Sequence, residues 1–145
     1  MKREFLQLIY AFLGSMGFAL LFNLKVKRLI PAALGGLLSW GVFLIINHIS
    51  NNLFLATFAS SSFAALYSEI LARLLKAPTT VFTIPALICL IPGSSLFYTM
   101  QNAVSSTWDQ VLHYALETVI YIGAITLGLS IVSALFKIIF KHKNG

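Results

Sequence analysis

The chain has 145 residues, 59% of them hydrophobic and 10% charged, with a net charge of +6 and a mean hydropathy of +0.90. Soluble domains carry about a quarter charged residues, so this composition excludes a water-soluble fold and predicts a single integral membrane domain over residues 1–145. The basic residues sit in short clusters between apolar runs, which reads as membrane anchoring rather than a nucleic-acid face, and the lone Cys89 can form no internal disulfide.

Five runs approach the roughly 20 apolar residues that a bilayer span needs. They are 4–23, 31–48, 53–73, 80–100 and 108–137, an all-α helical bundle with five transmembrane helices. The first has no small-residue cleavage site after its apolar core and reads as a retained span. Pro31 suits the first turn of the second, where its missing N–H costs nothing. Gly35, Gly36 and Gly41 make this span the weakest of the five. In the fourth, TIPALICLIPGSSLFYTM (83–100) carries Pro85 and Pro92, the latter followed by Gly93, Ser94 and Ser95. Ser106 and Asp109 resemble a capping box opening the fifth.

With five spans, Lys25, Lys27, Arg28, Arg73, Lys76, Lys137, Lys141 and Lys143 share one side, and only Lys2 and Arg3 take the other. The positive-inside rule then places the N-terminus outside and the C-terminus in the cytoplasm.

Small residues recur every fourth position in two spans: Ala11, Ser15 and Ala19, and then Ala56, Ser60, Ala64, Ser68 and Ala72. Such ridges let membrane helices approach closely; the other reading is that Ser60, Ser61 and Ser62 line a polar path. Glu69 and Arg73 have the favourable i, i+4 order for a helix ion pair. Tyr10, Trp40, Tyr67, Tyr98 and Trp108 read as interfacial belt or packing residues.

Ionisable groups within a span are costly and point to function. Asp109, His113 and Glu117 are four apart and share one helix face. Tyr114 and Tyr121 flank Glu117, the deepest acid. His113 and Glu117 therefore form a candidate proton or ammonium site, or else Glu117 is a helix-pairing carboxyl. In the fourth span, each interior proline costs a helix about 3 kcal/mol and a backbone hydrogen bond. A break at Ile91–Pro92 makes Pro92 the first residue of a half-helix. The N–H groups of Gly93, Ser94 and Ser95 then lie unpaired at the positive end of its dipole, ready for a carboxylate near the bilayer middle. Packing of a proline kink is the alternative. The candidate translocation residues are Pro85, Pro92, Gly93, Ser94, Ser95, Tyr98 and Thr99. His48, His113, His142 and Cys89 show no metal-ligand spacing. No cofactor or nucleophile fingerprint appears, so neither a cofactor nor an enzymatic activity is expected.

The run KAPTTVFTIPALICLIPGSSLFYTM (76–100) resembles the signature of the threonine/serine exporter family, in its small-subunit half. GFALLFNLKVKRLIPAALGG (17–36) resembles the same half. The resemblance implies export of small carboxylates, threonine and serine or dicarboxylates such as succinate, across the bacterial inner membrane. It implies a larger partner subunit in a hetero-oligomer, and Pro92, Gly93 and their neighbours as the functional segment. A homo-oligomer is the alternative assembly. A non-transporting assembly or regulatory subunit and a small serine-lined channel are the rival functions.

Overall fold

The computed structural model describes residues 2–105 and 108–141. Six α-helices and one 3-10 turn follow in chain order: α1 (Lys2–Leu21), α2 (Val26–Ser50), α3 (Leu53–Leu74), α4 (Thr80–Leu87), the turn Ile88–Leu90, α5 (Gly93–Val104) and α6 (Trp108–Lys141). Among the described residues there is no strand. Four helices are long and apolar enough to cross a membrane. The pair 80–90 and 93–104, bent by 53°, makes a fifth crossing if counted as one span.

Left-handed residues end the first three spans. Asn23 has φ 52°, and the bonds Leu24 N–H to Ala19 O and Asn23 N–H to Leu20 O close a Schellman cap. Asn51 and Lys76 take the same conformation after α2 and α3. Asn52 then opens α3, its side chain accepting from the Leu55 N–H at 3.3 Å.

One expected boundary is wrong. The second helix begins at Val26, not Pro31, so Pro31 lies inside it. Two features support the longer helix: Arg28 reaches the Leu75 and Lys76 carbonyls at 3.3 and 3.4 Å, and the Tyr67 hydroxyl donates to Pro31 O at 2.8 Å. The Lys27 carbonyl deprived by Pro31 belongs to an exposed residue of the first turn. The Ser106 cap and Lys143 lie outside the described residues.

The centre of the bundle is α3, packed between α2, α4 and α6. Its Ala56, Ser60, Ala64, Ser68 and Ala72 are all buried. The Ser60 hydroxyl donates to Ser39 O of α2, and Ser61 to Phe58 O and to Ala124 O of α6. Ser62 returns its hydroxyl to Phe58 O at 2.7 Å. Each of these serines therefore hydrogen-bonds a helix carbonyl. Helices α3 and α6 run parallel, since Ser61 meets Ala124 and the Arg73 guanidinium lies 5.3 Å from the Phe136 ring centre. Arg73 also pairs with Glu69 at 3.5 Å. These contacts, with those of Arg28, gather the 25–28 and 73–76 clusters and the C-terminal part of α6 at one end of the bundle.

Gly35 and Gly36 mark a close helix crossing, as the pair of glycines suggests. A Cβ on Gly36 would collide with the Ser15 side chain, and one on Gly35 would press on Tyr67 and Ala86. Ser15 in turn donates to Pro85 O at 2.8 Å. Helices α1, α2 and α4 thus meet at Ser15, Gly36 and Pro85, all buried. Below this junction Ala19, Ala32, Ala72 and Phe82 form one apolar cluster; beyond it Phe43, Ala56 and Leu90 form another.

Candidate functional site

The fourth span breaks where its sequence predicts. Pro85 cannot donate to Val81 O, and three residues later the chain tightens into the 3-10 turn. Ile91 is extended (φ −63°, ψ 126°), as a residue before proline prefers. Helix restarts at Gly93 with a bend of 53°. Eleven residues precede the break, about 16 Å of rise at 1.5 Å per residue, or half of a roughly 30 Å hydrocarbon core.

The start of α5 differs in two details from expectation. Pro92, with φ −76° and ψ 62°, is the residue before the helix rather than its first helical residue. The Gly93 N–H is also not free: it donates to Ile91 O at 2.8 Å, closing a tight turn. The first intrahelical bond is Leu96 N–H to Pro92 O at 3.1 Å. The Ser94 and Ser95 N–H groups precede it and carry the positive end of the helix, Ser94 exposed and Ser95 buried. Gly93 and Ser94 are exposed, and a Cβ on Gly93 would meet nothing within 4 Å.

The structure joins two groups that lie far apart in sequence. Ser95, 3% exposed, donates its hydroxyl to Glu117 Oε2 of α6 at 3.1 Å. Glu117 is half-buried. A carboxylate therefore already stands at the N-terminal turn of α5, where the helix dipole favours it. Helix α5 runs antiparallel to α6 and packs chiefly on it. Tyr98 and Tyr114 continue the contact with ring centres 5.3 Å apart.

The other predicted residues take different positions. Thr99 gives its hydroxyl to Ser95 O at 2.7 Å. Pro85 belongs to the Ser15–Gly36 junction, not to the α5 terminus. His113 is exposed, its ring edge-on to Tyr114 at 5.4 Å, and no hydrogen bond joins it to Glu117. Asp109 is exposed one turn before it.

One feature escaped the sequence reading. The Trp40 indole N–H is buried without a hydrogen-bond partner among the described residues. It borders a cavity of about 230 Å³ shared with Gln7, Tyr10, Ala11 and Cys89. Cys89 donates to Gly36 O at 3.3 Å, so this cavity adjoins the last turn before the break. Trp40 lies mid-helix and stacks on Phe43 with ring centres 4.8 Å apart, the packing role of its two expected readings.

A multi-pass helical membrane protein with one span broken at Pro-Gly, and a carboxylate docked at the new helix start, is the class that fold and site define. The family profile described as "Threonine/Serine exporter, ThrE" matches residues 7–135, and the chain belongs to that family. It is also 26% identical over 137 residues to an uncharacterized protein of Haemophilus influenzae (strain ATCC 51907 / DSM 11121 / KW20 / Rd). That match covers 89% of this chain and 46% of the relative, so the chain spans about half the length of the curated relative it matches. No solved structure matches.

Proposed function

We propose that this chain is one membrane unit of a secondary exporter of small carboxylates, with threonine and serine the best-fitting substrates. The observation that carries this reading is the placement of Glu117 against Ser95 at the start of α5. An α-amino acid is a zwitterion. Its carboxylate suits the free N–H groups of Ser94 and Ser95, and its ammonium suits Glu117. The exposed Gly93 leaves the backbone open to a ligand. A dicarboxylate such as succinate carries no ammonium for Glu117 to hold, so threonine and serine fit this pair of groups better.

The exporter acts with a larger partner subunit in the bacterial inner membrane, with this chain's N-terminus outside and its basic end cytoplasmic. Two observations support that arrangement. The basic clusters gather at one end of the bundle, as the positive-inside rule requires of a cytoplasmic face. The exposed Gly93–Ser94 backbone at span depth needs protein or a water-filled path beside it, since hydrocarbon offers no hydrogen bonds. A partner of opposite topology would place the α5 terminus between two inverted halves.

Efflux of threonine and of succinate from cells carrying this chain, the candidate partner, both or neither is the test. Efflux is expected only with both. Full efflux by the partner alone would reduce this chain to an assembly subunit.

A further inference from the structure

The geometry points to a binding site for one anionic phospholipid at the basic end of the bundle. The site is independent of the transport reading. A cavity of about 360 Å³ is lined there by Lys25, Val26, Lys27, Arg28 and Leu75. Arg28 is half-buried and fixed: its Nη2 donates to Leu75 O and Lys76 O at 3.3 and 3.4 Å. Those bonds use one of the guanidinium's nitrogens and leave the others for a phosphate, which this fork matches well. Lys25 and Lys27 are exposed on the same turn.

Charge balance makes the cavity more than an anchor. The chain has four acidic residues. At this end Glu69 is engaged with Arg73. Among the described residues, no carboxylate pairs with Lys25, Lys27, Arg28 or Lys76. Lys25, Lys27, Arg28 and Lys76 converge from the first turn of α2 and the two adjoining loops, with no counter-charge among the described residues. The cavity is also lined by the first turn of α2, whose positive end has no side-chain cap.

A lipid, rather than a free anion, fits what lies next to the cations. An apolar groove of about 260 Å³ begins one residue away at Leu24 and runs along Phe22, Thr80, Val81 and Ile84. It sits between the end of α1 and the start of α4, on the membrane side of the two loops. A phosphate among Lys25, Lys27 and Arg28 would leave an acyl chain to follow this groove. Basic pockets between helix ends are a recurrent way to hold anionic headgroups.

The test uses the intact chain in mild detergent. Lipid is titrated as phosphatidylglycerol or phosphatidylcholine, with binding read by native mass spectrometry and melting. The wild type should bind phosphatidylglycerol and be stabilised by it well beyond phosphatidylcholine. Lys25→Gln with Lys27→Gln should weaken phosphatidylglycerol binding by about fivefold per lysine, the usual effect of a basic residue near an anionic membrane surface. Its melting in phosphatidylcholine should stay unchanged, which separates lost binding from misfolding. Lys137→Gln, at the same end but outside the cavity, should leave the preference intact. Equal binding of the two lipids, an undiminished preference in the double variant, or an equal loss in Lys137→Gln would each overturn the site. If inorganic phosphate alone reproduced the stabilisation, the lipid assignment would fall.

Discussion

Replacing Gly36 by alanine should loosen the whole bundle, because one hydrogen atom separates three helices there. The added methyl would overlap the Ser15 side chain, which cannot retreat without leaving Pro85 O, its acceptor at 2.8 Å. Pro85 O itself lies 3.3 Å from the new carbon. Overpacking of this kind costs about 1–3 kcal/mol. Loss of an interhelical hydrogen bond in a membrane protein adds about 0.6 kcal/mol. A total near 2–3 kcal/mol lowers the melting temperature of a chain this size by about 5–10 °C. Size-exclusion recovery after heating in detergent reads this directly. Gly14→Ala is the matched control, since a Cβ there meets nothing within 4 Å, and alanine should hold or gain up to about 1 kcal/mol in a helix. If Gly36→Ala melted with the wild type, or fell no further than Gly14→Ala, the three-helix junction would not hold α4 as described.

Other expectations follow from the same contacts. Gly128→Ala should destabilise by a similar 1–3 kcal/mol or so, because its Cβ would strike Ser61 and the Phe58 carbonyl of α3; unchanged melting would refute the close α3–α6 approach. Gly93→Leu should insert and melt normally, since the space is open, yet abolish export by covering the Ser94 and Ser95 N–H groups; normal flux would remove the α5 terminus from the pathway. A reporter that works only outside the cytoplasm should stay silent when fused to the C-terminus; activity would reverse the proposed orientation.

The helices were legible because hydropathy alone marks each apolar run, and the break because proline and glycine together make Pro92-Gly93 a poor site to continue a helix. The start of α2 was not. Lys27 and Arg28 look like loop, and Pro31 looks like a helix start, until Arg28 is seen tied to the α3–α4 turn. Ser95 and Glu117 each stood out as polar groups in a span, but their contact depends on the bend of 53° and on the α5–α6 register. Neither is encoded in a local pattern. Loss of the Gly93 N–H to Ile91 O is likewise a matter of turn geometry. The orphan indole of Trp40 had no sequence signal beyond an aromatic at a middle position.

The proposed pairing of the α5 terminus with Glu117 is tested most directly by exporting threonine and succinate through Glu117→Gln. Glutamine keeps the size and can still accept from Ser95, but it loses the charge that would hold an ammonium. A hydrogen bond to a charged group is worth about 1.5–3 kcal/mol, so threonine export at subsaturating substrate should fall roughly 10- to 100-fold. Succinate has no ammonium for Glu117 to hold, so its export should not fall. Threonine export equal to that of the wild type, or an equal loss for succinate, would contradict the account.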